Sequence, residues 1–289
     1  MSRRAAYRTF ALLGLLASTV LSGCQHGFVG KVNLAMSASP TPGVQNVFLA
    51  IKGVQLGGFG APINLPYGSE ELVDIESGLR TALLASESIP VADFKWVRIQ
   101  IDPANSYVIA ANGNRYPLDV ASEYQSTADF IVGEGLTVSL LVDIELRDSL
   151  SSQTKDGMTV YTLNSRSRLV DLSAVGNIVG NLSPSFMIGN LTVSDPGCAP
   201  SIYVYQGAGA VPEGFFVHVK GGTPPFASGT FVLHVPPGLY RFTASLLPPG
   251  TYTAALTCSA VDVPGSKSLD FTPAQEAVVT VGGNTFLTF

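Results

Sequence analysis

The chain has 289 residues, 46% of them hydrophobic and only 13% charged, with a mean hydropathy of +0.32 and a formal charge of −5. Such a composition excludes a disordered or highly charged polymer and leaves room for one large β domain or two ordinary ones. Thirty Gly and nineteen Pro, spread without a period, exclude a collagen or linker and act as punctuation between many short strands.

The amino terminus carries the most specific pattern. Arg3, Arg4 and Arg8 precede an apolar run from Phe10 to Leu21, which is too short to span a bilayer and has the anatomy of a secretory signal. It ends in Leu21-Ser22-Gly23-Cys24, which resembles the lipobox of bacterial lipoproteins. That resemblance implies cleavage between Gly23 and Cys24 and a diacylglycerol on the Cys24 thiol. Residues 1–23 then form the signal peptide and 24–30 a lipidated tether. Gln25, in place of the Asp that marks inner-membrane retention, implies residence at the outer membrane of the cell envelope. Cleavage removes three arginines and no acid, so the formal charge falls from −5 to −8. A surface of that sign, with no Lys/Arg cluster interleaved with aromatics, excludes nucleic acid as a partner.

Past the tether, alternation of period two recurs and helical periodicity is nearly absent, which predicts an all-β chain. Strands are expected at 31–37, 46–56, 95–102, 106–111, 115–118 and 136–146. Asn112-Gly113 between two of them predicts a hairpin with a type I′ turn. Residues 77–88, with Leu79, Leu83 and Leu84, are expected to form a short helix or a loop. An extended run at 158–172 is followed by Gly- and Asn-containing sequence through Pro184, where the composition shifts. Beyond it, strands are expected at 201–205, 215–219, 230–234, 240–245, 252–258 and 277–281. Their spacing of about ten residues predicts a second sandwich. Leu247-Pro248-Pro249-Gly250-Thr251-Tyr252 predicts a tight reversal. The expected domains are 31–187 and 188–289, two β-sandwiches.

Val47 to Val54, Phe94 to Ile101, Leu140-Leu-Val-Asp143-Ile-Glu145 with Asp148-Ser149-Leu150, and Tyr161-Thr-Leu163, together with the lipobox, resemble a family of bacterial lipoproteins carrying domain of unknown function 4382. The resemblance spans roughly residues 27–185. The later half, with its Leu-Pro-Pro-Gly-Thr-Tyr-Thr segment, is similar to transthyretin-like or carboxypeptidase-regulatory-like sandwiches of the immunoglobulin-like class. Neither resemblance supplies a catalytic residue.

Chemistry in the sequence is sparse. Cys198 and Cys258 form an even pair in an oxidising compartment, expected as a disulfide, with two buried free thiols as the alternative. No cysteine or histidine spacing suits zinc, and no hydrolase motif occurs. His26, His218 and His234 read as structural or exposed histidines. Asp143 and Glu145, with Asp148 nearby, share one face of a strand about 7 Å apart. They read as a solvated face, as a structural Ca²⁺ site or as a glycosidase carboxylate pair. Trp96, Tyr107, Tyr116 and Tyr124 read as core or rim, with a sugar-binding face as the alternative. The expectation is a lipid-anchored envelope protein that binds or supports, with no enzyme activity and no cofactor beyond structural calcium. Its partners are the membrane through Cys24 and an envelope protein or glycan. A carbohydrate-binding or adhesive module is the alternative, and a hydrolase with an unrecognised site the third reading.

Overall fold

The computed structural model describes residues 28–58, 60–66, 71–75, 82–164, 167–216, 222–223, 225–234, 239–258, 262 and 268–289. Cys24, Gly23, His26 and His218 lie outside them. Among the described residues the structure is almost entirely β, as the period-two alternation predicts.

The first unit is a face-to-face sandwich. A four-stranded sheet has Val29–Ser39 between Ala82–Pro90, antiparallel to it, and Thr137–Glu145, parallel to it, with Ser167–Asp171 on the outer side of the latter. The opposing eight-stranded sheet is organised around Val44–Gly58 paired with the long strand Ala92–Ala110. Alternate residues of both sheets interdigitate: Val32, Leu34 and Met36 from one meet Val97, Ile99 and Ile101 from the other in one buried cluster. Each fully buried Leu or Ile there contributes about 1.5–3 kcal/mol relative to exposure.

Residues 82–90 are a strand, not the short helix or loop expected for 77–88. Eight backbone partners along Val29–Met36 hold them extended, so tertiary pairing overrides the weak leucine periodicity; residues 77–81 lie outside the described set. The strands expected at 95–102 and 106–111 are one strand that bends at Asp102, whose carboxylate accepts from Ala104 N–H at 3.0 Å. The Asn112-Gly113 hairpin forms between Ile109 and Arg115, but not as a type I′ turn. Only Gly113 is left-handed, at φ +79°, while the Asn112 side chain accepts from Asn114 N–H at 2.9 Å. The two-residue turn with both φ values positive lies instead at Asp156-Gly157, between Lys155 and Met158.

Sheet membership changes between Asp171 and Gly176. Gly176–Leu182 pairs with Leu239–Leu247 and Asn284–Phe286 in a seven-stranded sheet that otherwise begins at Ser201, earlier than the expected division at 187/188. This sheet rolls over one core of Ile178, Ile202, Val204, Phe242, Leu247, Tyr252 and Leu256. Its two edges approach each other where Thr285 Oγ1 donates to the Val278 carbonyl at 2.6 Å. The reversal after Leu247 is closed by the Tyr252 hydroxyl donating to the Pro248 carbonyl at 2.7 Å. Cys198 and Cys258 form a disulfide, with Cα atoms 4.5 Å apart, at the end of the paired strands Ser201–Gln206 and Gly250–Thr257.

Candidate functional site

Leu141, Asp143 and Glu145 share one face of their strand, as expected, but Asp143 is not solvated. It is only 4% exposed, because the second unit packs over that face. Asp143 ion-pairs with Arg168 on the neighbouring strand, where the two residues are register partners. The same guanidinium lies 4.9 Å over the Phe226 ring and donates to the Leu246 carbonyl at 3.3 Å. Leu246 holds a left-handed φ of 62°, an unusual conformation for a leucine. Its side chain packs with Ala35, Leu141 and Val170 of the first unit. The strained residue thus supplies both an apolar and a polar contact across the junction.

The strand ends in a single helical turn, Leu146–Ser149, capped by Glu145, whose side chain accepts from Arg147 N–H at 3.4 Å. That turn points Arg147 into the second unit, where it is 4% exposed. Its guanidinium bonds Ser201 Oγ and, at 3.4 Å, the Tyr203 hydroxyl. Tyr203 donates in turn to Asp262 at 2.8 Å, and the same carboxylate oxygen accepts from Phe215 N–H at 3.0 Å. A buried cation from one unit therefore faces a buried anion from the other across one phenol. Burial pushes the Tyr203 phenol well above its usual value, against the opposite pull of Arg147. Among the described residues, Arg147 Nε and the second Asp262 oxygen have no hydrogen-bond partner.

Two cavities flank this turn. One, of about 180 Å³, has Thr41, Pro42, Val44, Tyr161, Arg147 and Asp262 in its lining. The other, about 420 Å³, sets Asp143, Glu145 and Asp148 against Phe215, Pro225 and Phe226. The three acids named from the sequence thus do line one cleft. Among the described residues, however, no group of three His, Cys, Asp or Glu side chains is placed to hold a metal ion. A cation at Asp143 would share that carboxylate with Arg168.

The aromatic residues do not form one face. Tyr124 is in the core at 1% exposure. Trp96 lies against Gly57, where any Cβ would overlap the indole, and Arg98 covers the ring at 4.7 Å. Tyr107 stacks on Phe48 at 4.7 Å under the Arg115 guanidinium at 3.6 Å, and with Tyr116 it lines a shallow groove of about 420 Å³.

Arg147, Arg168, Tyr203 and Asp262 were not singled out from the sequence. Arg147 continues the alternation of Asp143 and Glu145, a signal that was legible. Asp262 lies in a segment without periodicity and offered none.

Buried tyrosines make one pH prediction. Burial raises Tyr124, Tyr203 and Tyr205 alike, and Tyr124 sits beside Ser167 without reaching hydrogen-bond geometry. Below the unfolded tyrosine value of about 10 their contribution to stability is full. Above it the unfolded chain sheds protons that the folded chain keeps, so stability falls by about 1.4 kcal/mol per pH unit for each such group. Tyr124→Phe is expected to reduce that alkaline slope in thermal melts from pH 7 to 11. At pH 7 it should cost little, since no described residue meets the hydroxyl at hydrogen-bond geometry. A loss above about 2 kcal/mol at pH 7 would show the hydroxyl to be bonded.

The fold and junction define a class: an all-β chain of two units joined through buried charge. Residues 29–164 match the family model described as Domain of unknown function (DUF4382), so the first unit carries that domain. The match ends before the 185 anticipated from the sequence. No curated protein matches the chain. Among solved structures, the fimbrial anchor protein Mfa2 from Porphyromonas gingivalis is 8% identical, with 79% of this chain and 78% of that one covered and a TM-score of 0.20. A "Putative cell adhesion protein" from Parabacteroides distasonis is 12% identical, with 88% and 85% covered and a TM-score of 0.19.

Proposed function

We propose that this chain is an exported lipoprotein, acylated on Cys24 and held at the outer membrane, whose β units bind or support an envelope partner. The observation that carries the reading is Leu21-Ser22-Gly23-Cys24 behind a basic start and an apolar run. The first strand begins at Val29, five residues after that cysteine. The second unit is read as a transthyretin-like module appended to the first. Among the described residues no helix is long and apolar enough to cross a membrane; in this reading the attachment is the lipid on Cys24. Each buried methylene contributes about 0.8 kcal/mol, and two or more acyl chains make the attachment stable. No catalytic arrangement is part of the reading.

The test is expression of the full-length chain with metabolic palmitate labelling, membrane fractionation and mass spectrometry of the amino-terminal peptide. The expected result is a label at Cys24 and recovery with outer membranes, with Cys24→Ala moving the protein to the soluble or uncleaved fraction. A wild-type protein that is unlabelled and soluble would overturn the reading. The alternative, a glycan-binding or adhesive module, draws on the groove around Tyr107, Arg115 and Tyr116. Saturable binding of purified envelope glycans, lost in Tyr107→Ala, would favour it.

A further inference from the structure

The largest exposed apolar side chains of the first unit include five that surround the point where the chain enters its first strand. Phe28 is 66% exposed, Val29 49%, Val91 41%, Ile131 67% and Leu136 63%. Backbone contacts hold them together. Val91 N–H donates to the Phe28 carbonyl at 3.0 Å, Gly135 N–H to Val29 at 2.9 Å and Lys31 N–H to Leu136 at 2.8 Å. Val29 is the register partner of Pro90, and Asp93 that of Ile131. The two sheets close here, since a Cβ on Gly30 would meet the Gly133 carbonyl at 2.2 Å and the Val132 side chain at 2.7 Å. The backbones of the five residues therefore gather at one corner of the sandwich, with Val29 on the outer face of the four-stranded sheet, Ile131 on the outer face of the eight-stranded sheet, and exposed Lys31, Asp93 and Glu134 beside them. Single exposed hydrophobic residues need no explanation, but five gathered at one tip of a sandwich do.

We infer that this corner docks on the bilayer surface that holds the lipid anchor, with Phe28, Ile131 and Leu136 reaching into the interfacial layer. The inference rests on the acylation of Cys24. Only Gln25, His26 and Gly27 separate that cysteine from Phe28. Whatever path they take, four residue steps reach at most about 14 Å. The headgroup region on one side of a bilayer is itself roughly 5–8 Å deep, so the apolar corner has no room to stand clear of lipid by more than a few residues' length. A partner protein would have to insert between the corner and its own membrane. The bilayer is already there, and apolar side chains carried beside a lipid tether add to its hold.

The experiment uses the full-length acylated protein reconstituted into phosphatidylethanolamine/phosphatidylglycerol vesicles. A polarity-sensitive fluorophore is placed on a cysteine introduced as Ile131→Cys, and separately as Met158→Cys. Met158 is 64% exposed. It lies level with Arg115 at the far end of the eight-stranded sheet, because Tyr161 pairs in parallel with Leu118. Vesicle flotation reads the anchor, and the fluorophore reads the docking. The expected result is co-flotation of both proteins, with a blue shift and quenching by nitroxide lipid at position 131 and neither at position 158. Co-flotation with a water-like signal at 131 would overturn the docking while leaving the anchor intact. Failure to float would overturn the anchor and the docking with it. A Phe28→Ser/Leu136→Ser variant should still float and lose the shift at 131; a persisting shift would show that those side chains do not seat the corner.

Discussion

Arg147→Met is expected to destabilise the protein by about 3–5 kcal/mol, the cost of breaking a buried charge arrangement by removing one member. Methionine matches the length of the arginine stem but leaves Asp262, Tyr203 and Ser201 facing an apolar side chain. Asp262 is 5% exposed, so its carboxylate loses the facing cation with little bulk water to compensate, even though the small cavity beside it can admit a few molecules. Denaturant unfolding followed by circular dichroism reads both units, while fluorescence of Trp96, the single tryptophan, reads the first. If the pair is coupled through the Tyr203 phenol, Asp262→Asn in the Arg147→Met background should restore part of the loss, because it removes the uncompensated anion. A loss below about 1 kcal/mol in Arg147→Met would place Arg147 in water and dissolve the junction as described.

The second large effect is expected in the second unit. Cys198→Ala/Cys258→Ala opens a covalent loop with a sequence separation of 60, and loop-closure entropy then returns about 4 kcal/mol to the unfolded chain. For a unit of this size the melting temperature should fall on the order of 20 °C. The effect acts mainly through the unfolded state, since Ala199 N–H still donates to the Cys258 carbonyl at 3.0 Å and Ser201 still pairs with Thr257. Reduction by dithiothreitol should reproduce the double variant. An unchanged melting temperature under both treatments would mean that the 198–258 closure adds nothing the sheet does not already supply. The two cysteines also explain why this disulfide was legible: with Cys24 assigned to lipid, a single pairing remained.

The junction was half legible. Asp143, Glu145 and Asp148 stood out as acids on an apolar strand, and they do line a cleft. What covers Asp143 comes from remote segments: its ion-pair partner Arg168, and the Leu246 carbonyl and Phe226 ring that hold that guanidinium. Alternation along one strand shows which residues share a face but not what covers that face. Asp143 therefore reads as solvated from its neighbours in sequence and is buried by residues remote from them. The same limit explains 82–90, whose extended conformation is imposed by pairing with Val29–Met36. The turn at 112–113 differs for a local reason: the Asn112 side chain accepts from the Asn114 N–H two residues on, and only Gly113 is left-handed.

By itself the sequence determined what local chemistry dictates: the all-β class through period-two alternation, most strand positions, the lone cysteine pairing, and the signal and lipobox pattern from which the anchor is proposed. The tertiary structure alone decided which sheet each strand joined, where the sheets change over between Asp171 and Gly176, and which charges met at the junction. Strand alternation is a property of a few consecutive residues, whereas sheet order and buried charge pairs depend on contacts whose free energy appears only after distant segments have been brought together.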